Sequence, residues 1–349
     1  MNDLTHVRIL GMDRTELEAL AKDLGAPAFR GRQIARWLYQ RAVHSIDEMT
    51  DLPKDLREKL KGRWPGALLY RARILQESKS PDGTTKYLLE MEDGHTIESV
   101  LLPYEKRVSV CVSTQVGCAA GCAFCATGMG GLLRNLTAGE IVDEVLTLQE
   151  QSPRRVSHVV YMGMGEPLLN YDNVVKSIHL LNDEVGIGMR HMTISTVGIT
   201  PRIERLAEEG LQITLAISLH APNDDLRRRL IPISERYPLD GLMRACRRYA
   251  ESTGRRITFE YLLIRDLNDS REHARELAHL VKGILANVNL IPYNAVEGLE
   301  MSRPPRERVQ AFREVLEHEG VTVTQRMERG HTISAACGQL RRRARNTDA

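Results

Sequence analysis

The chain has 349 residues, 42% of them hydrophobic, enough for one large domain with a smaller one beside it and a real core. Its 48 Lys and Arg against 46 Asp and Glu leave a net charge of +2, which excludes a global pull on nucleic acid and confines any such binding to local patches. No basic segment followed by an apolar stretch opens the chain and no run of about 18 apolar residues occurs, so a cytoplasmic protein with no membrane partner is expected, in which six cysteines point to metal or redox chemistry rather than disulfide staples.

Residues 1–68 read as a small helical domain. Thr15-Glu16-Leu17-Glu18 has the spacing of a capping box, and Leu17, Leu20, Ala21 and Leu24 recur at helical intervals. The following segment mixes Arg30, Arg32, Arg36 and Arg41 with Phe29, Trp37 and Tyr39. That composition suits phosphates and unstacked bases, hence an RNA-binding accessory domain, although on this segment alone a solvated helix with one apolar stripe is the commoner reading. Residues 69–105 are expected to form a linking hairpin, because strand-like runs at 87–92 and 95–102 flank Asp93-Gly94, a favoured two-residue turn.

From 106 to 330, strand-like runs at 108–113, 158–162, 192–195, 213–218, 257–264, 288–291 and 321–325 alternate with helical stretches. These begin at Thr137 and Pro201 and lie near Asn173, Asp240, Arg271 and Pro305. Such βα units predict an α/β fold, a partial or full (β/α) barrel, with its chemistry on loops at the C-terminal ends of the strands. Residues 331–349 form a C-terminal loop and a basic tail ending in Arg341-Arg342-Arg343-Ala344-Arg345. Those arginines, with Arg227-Arg228-Arg229 and Arg247-Arg248, could together line a phosphate track, although each alone reads as a solvated charge run.

The densest chemistry lies in Gly117-Cys118-Ala119-Ala120-Gly121-Cys122-Ala123-Phe124-Cys125, a loop directly after the first βα strand. Three thiolates on a four-iron cubane leave one iron open to a small molecule. A structural zinc usually takes four ligands in paired spacing, and no partnering pair stands nearby.

The C-x3-C-x2-C pattern with Phe124 before its last cysteine resembles the signature of radical S-adenosylmethionine enzymes. The chain from FRGRQI through MTDLPKDLR, VCVSTQVGC, GMGEPLLNYDNV, ISTVGI, LAISLHAPND, NLIPYN and ISAACGQL is similar nearly end to end to the RlmN branch of the RlmN/Cfr family. The resemblance implies a [4Fe-4S] cluster on Cys118, Cys122 and Cys125 and two molecules of S-adenosyl-L-methionine per turnover. It also implies methylation of carbon 2 of an adenosine in 23S rRNA and of the anticodon-adjacent adenosine in some tRNAs. Cys337 would carry the methyl, Glu98 would accept the carbon-2 proton, and Cys111 would resolve the protein–RNA adduct through a transient disulfide with Cys337. Gly165, Glu166, Ser195, Ser218, Leu219, His220 and Asn294 match cofactor contacts. An electron donor such as flavodoxin or ferredoxin and a monomeric enzyme are expected.

On residue type alone, Cys337 and Cys111 are small buried hydrophobes, and Gly, Ser or Asn at a strand end is a turn or a cap. Glu98, on one strand face with Val100 and Leu102, is expected against apolar surface that would raise its pKa. Cys246 matches no functional position and reads as structural. Two alternatives stay open: the Cfr-type product, methylated at carbon 8, and a non-catalytic zinc knuckle gripping RNA.

Overall fold

The computed structural model describes residues 8–63, 69, 72–296, 298–326, 329–335 and 338–340. The chain opens with α1 (Arg14–Asp23), α2 (Phe29–Ala35), which runs on into a π-turn at Arg36–Gln40, and α3 (Lys54–Arg63). The first cap is not at Thr15. Asp13 accepts from the Glu16 backbone N–H at 2.8 Å while the Glu16 carboxylate accepts from the Asp13 N–H at 2.7 Å, so the capping box lies two residues earlier. Asp13→Ala should cost about 1 kcal/mol in chemical denaturation, with cofactor binding unchanged.

The aromatic and cationic segment divides in two. Trp37 and Tyr39 are buried, Tyr39 bridging the Met12 carbonyl and the Gly11 N–H and Trp37 donating to Asp51. Arg32 pairs with Glu18 and Arg36 with Asp51, while Arg30 bonds Gln33 and the Asp51 carbonyl. This segment is thus mostly core and local charge pairing.

Three antiparallel strands follow: β1 (Arg73–Lys79), β2 (Thr85–Glu90) and β3 (Thr96–Pro103). The β2–β3 connection is longer than the expected two-residue turn. The Met91 N–H bonds the His95 carbonyl and the Gly94 N–H bonds the Met91 carbonyl, so Glu92-Asp93-Gly94 form the loop, with Gly94 at φ +80. Nor is it a separate linker, since β3 pairs antiparallel with β4 (Val108–Cys111) and continues the main sheet.

The chain then runs β5 (Gln115–Gly117), α4 (Ala126–Met129), β6 (Leu132–Asn135), α5 (Ala138–Glu150), β7 (His158–Tyr161) and α6 (Tyr171–Asp183). It continues through β8 (Met192–Thr196), α7 (Thr200–Glu208), β9 (Thr214–Ser218), α8 (Asp224–Leu230), α9 (Leu239–Thr253), β10 (Ile257–Leu263) and α10 (Arg271–Val281). The last elements are β11 (Ala286–Pro292), α11 (Arg306–His318) and β12 (Val323–Gln325). One ten-stranded sheet has the order β1-β2-β3-β4-β7-β8-β9-β10-β11-β12, and every pairing from β4 onward is parallel. The sheet is open, with β1 and β12 at its edges, so it forms a partial barrel. Val159, Ile194, Leu215, Phe259 and Leu290 are wholly buried in these strands, as both faces of a parallel sheet require. Among the described residues no helix is long and apolar enough to cross a membrane.

Candidate active site

The cysteine loop is held from three sides. Its base is the β5–β6 hairpin, where Gly117 (φ +84) has the Gly131 carbonyl oxygen 2.0 Å from where a Cβ would stand, so no other residue fits. The Cys118 N–H bonds that carbonyl at 2.9 Å. From a second side, the Ala123 N–H reaches the Leu230 carbonyl at the end of α8, at 2.9 Å. From the third, the Ala126 N–H bonds the Gly338 carbonyl at 2.8 Å and the Thr127 hydroxyl bonds the Leu340 carbonyl at 2.5 Å. Cys337 itself lies outside the described residues, as do the C-terminal arginines, but its chain neighbour Gly338 is tied to the loop that carries the three cysteines.

Cys118, Cys122 and Cys125 line one cavity of about 920 Å³, mouth included, at the C-terminal ends of the parallel strands. Burial pushes the Cys118 thiol up to about 12 and that of Cys122 well above its ordinary value, and the neighbouring thiols add to both. Three thiolates can share this space only with a compensating cation. Among the described residues no three of His, Cys, Asp and Glu converge on a single metal ion. Three thiols around one cavity, with the Ala120 N–H donating to the Cys118 sulfur at 3.4 Å, fit a polynuclear cluster with one open iron.

Five of the seven positions expected to contact the cofactor, Gly165, Glu166, Ser195, Ser218 and His220, line the same cavity. Gly165 (φ +103) packs so closely on Thr114 and Gln115 that a Cβ would sit 2.7 Å from their side chains, and the next N–H, of Glu166, bonds Gln115 Oε1 at 2.9 Å. The Glu166 carboxylate accepts from the Leu168 N–H at 2.9 Å and the Val197 N–H at 2.8 Å, and burial raises its pKa to about 7. Ser195 and Ser218 are 3.2 Å apart, oxygen to oxygen. His220, at φ +59, is buried edge-on to Phe124 with ring centroids 4.9 Å apart. Its Nδ1 accepts the Leu262 N–H at 3.1 Å, and burial with the nearby Arg227 lowers its pKa to about 3, so the ring is neutral. Leu219 and Asn294 are not among the cavity's lining residues: the Leu219 side chain is wholly buried and its N–H is engaged by the Glu260 carbonyl, while Asn294 follows β11 and is half-buried.

Glu98 and Cys111 sit on adjacent strands, each buried and outside that lining. Cys111 ends β4 opposite Val100 and Val160. The apolar surface expected against Glu98 is in fact a cation: the Lys86 ammonium lies 3.1 Å from its carboxylate and also donates to the Ser334 carbonyl at 3.0 Å. One buried lysine therefore joins Glu98 to the loop that leads to Cys337. Ser80 with Thr332, and Asp82 with the Gly330 N–H, add further ties between the β1–β2 turn and that loop. Cys246 is wholly buried in α9, with its thiol pushed up to about 12 by burial.

Sequence reasoning missed Lys86, Glu260 and Arg326, the last two of which line the cavity. Glu260, bonded by Asn289 at 2.8 Å, is the lone charge in its strand, and that was the available signal. Arg227, read as part of a phosphate track, is wholly buried, and Arg228 and Arg248 pair with Asp225 and Glu204.

Two family models match: the radical SAM superfamily over residues 112–278 and the ribosomal RNA large subunit methyltransferase N-terminal domain over residues 7–64. A probable dual-specificity RNA methyltransferase RlmN of Microcystis aeruginosa is 52% identical over 95% of this chain and 98% of its own. Its counterpart in Gloeobacter violaceus is 50% identical over 98% and 97%. The crystal structure of a radical SAM methyltransferase from Sphaerobacter thermophilus superposes with a TM-score of 0.91 at 46% identity, covering 96% of this chain and 99% of the other. Likeness of this extent, over both the helical region and the barrel, makes the chain a member of the RlmN family of radical S-adenosylmethionine methyltransferases, with the [4Fe-4S] cluster and cofactor of that superfamily.

Proposed function

We propose that this enzyme methylates carbon 2 of an adenosine in 23S rRNA and of the anticodon-adjacent adenosine in some tRNAs, as a cytoplasmic monomer. Carbon 2 lies between two ring nitrogens and is electron-poor, so direct polar attack on a methyl sulfonium is closed to it. Cys118, Cys122 and Cys125 would hold the cluster, which with S-adenosylmethionine on its open iron supplies radical chemistry and draws its electron from a flavodoxin- or ferredoxin-type donor. Gly165, Glu166, Ser195, Ser218 and His220 would bind and orient the cofactor, while Leu219 and Asn294 would contribute from the second rank of the same loops.

Cys337 would carry the methyl carbon to the base. Glu98 would take the carbon-2 proton from the resulting adduct, and Cys111 would release the product by forming a disulfide with Cys337. The helical region before β1 would serve as an RNA-contacting accessory domain, with exposed Phe29 under the Arg30 guanidinium as one contact face.

The observation that supports this reading best is Lys86, which bonds both the Glu98 carboxylate and the Ser334 carbonyl and so draws the proton acceptor and the Cys337 loop together. Nucleosides from RNA treated with enzyme, cofactor and reductant should contain 2-methyladenosine by mass spectrometry. 8-Methyladenosine as the sole product would place the enzyme with the Cfr branch instead.

A further inference from the structure

Arg227 is the largest wholly buried side chain of the described residues, and its guanidinium bonds only backbone carbonyls: Leu219 at 3.3 Å, Tyr237 at 3.3 Å and Val197 at 2.5 Å. None of the described carboxylates forms an ion pair with it. A buried charge without a counter-charge is strongly disfavoured, so a protein that keeps one has the opposite charge nearby. Four groups interact with it electrostatically: Asp224, Cys122, Cys246 and the neutral His220 ring. Asp224, the one carboxylate among them, accepts the Leu239 N–H and makes no hydrogen bond with the guanidinium, and Cys246 is a neutral buried thiol. The guanidinium thus has no counter-charge in contact with it, and a further negative charge can be supplied on the Cys122 side.

The packing agrees. Arg227 is in α8, whose last carbonyl holds the Ala123 N–H immediately after Cys122, and two of its three carbonyl partners belong to the loops after β8 and β9 that line the cysteine cavity.

We propose that Arg227 is the buried counter-cation of the iron–sulfur cluster, stabilising its reduced state through space. A cubane on three thiolates is a net anion that takes on one more negative charge when an external one-electron donor reduces it, so a fixed cation beside it raises its potential. The proposal rests on Cys122 being a cluster ligand.

The test is an anaerobic redox titration of the reconstituted full-length enzyme with dithionite, followed by electron paramagnetic resonance, for wild type, Arg227→Gln and Arg227→Lys. Arg227→Gln should lower the midpoint by at least about 59 mV, a tenfold change in the reduction equilibrium, and Arg227→Lys should restore most of it. Equal potentials in wild type and Arg227→Gln, or equal shifts in the Gln and Lys variants, would overturn the proposal. Iron and sulfide content is measured in every sample. Full cluster content in Cys122→Ala would defeat the ligand assignment itself, a failure distinct from that of Arg227. If Arg227→Gln does not fold, Cys246→Asp sets a carboxylate beside the intact guanidinium. It should lower the potential likewise, and an unchanged value there refutes the idea.

Discussion

Cys111→Ala is expected to accumulate enzyme joined covalently to its RNA, with free methylated product reduced to the background, whereas Cys337→Ala gives neither adduct nor product. The asymmetry follows from the two proposed roles. A carbon bridging Cys337 and the base must be released by breaking its bond to sulfur, and a second thiol does so by taking that sulfur into a disulfide. Cys111 is the candidate because its position matches the family's second cysteine; it ends β4, beside Val100 of the strand that carries Glu98 and ahead of the loop with Cys118, Cys122 and Cys125. The substitution removes one sulfur at a site packed among β3, β4 and β7, so the fold should survive it. Denaturing gels of the reaction with labelled RNA read the outcome. Free turnover by Cys111→Ala would refute the assignment.

Breaking the Lys86–Glu98 pair should have the second large effect. Both side chains are almost wholly buried, so Lys86→Met leaves a buried carboxylate without its cation and Glu98→Gln leaves a buried ammonium without its anion. Each single change should cost about 3–5 kcal/mol in chemical denaturation, and the double variant less than the sum of the two. Catalysis should separate them further. Glu98→Gln removes the proposed proton acceptor and should slow product release by at least about 100-fold, the lower end for a lost general base, with adduct accumulating. Lys86→Met leaves Glu98 in place but cuts the bond to the Ser334 carbonyl, and should lower adduct formation itself by loosening the Cys337 loop. Additive stability costs would show that the two groups do not interact.

The sequence carried the frame of this molecule because its signals are local. The βα alternation and the cysteine spacing depend on a few neighbouring residues, and the parallel strands stand where the apolar runs lie. What it did not carry depends on distant contacts. Lys86, just ahead of the strand-like run at 87–92, carries no local signal, since its partners Glu98 and Ser334 are supplied by another strand and by the far end of the chain. Arg227 was indistinguishable from Arg228 and Arg229, because a run of like charges does not say which member faces inward. The sign was Leu226 and Leu230, one helical turn apart, whose buried face Arg227 shares. Trp37 and Tyr39 were ambiguous for the same reason, as aromatic residues serve a core and a base stack equally well until the polar partners of their N–H and O–H groups are seen. The early cap was missed because Asp13 and Thr15 both present valid N-cap residues with a Glu three positions on, and backbone geometry chose the first.

The most direct measurement is anaerobic reconstitution of the wild-type chain with iron and sulfide, followed by metal analysis and an assay for cofactor cleavage under reducing conditions. About four irons and four sulfides per chain are predicted, with iron-dependent cleavage of S-adenosylmethionine, both lost when Cys118, Cys122 or Cys125 is replaced by Ala and both kept in Cys246→Ala. A colourless zinc protein that leaves the cofactor intact would contradict the account.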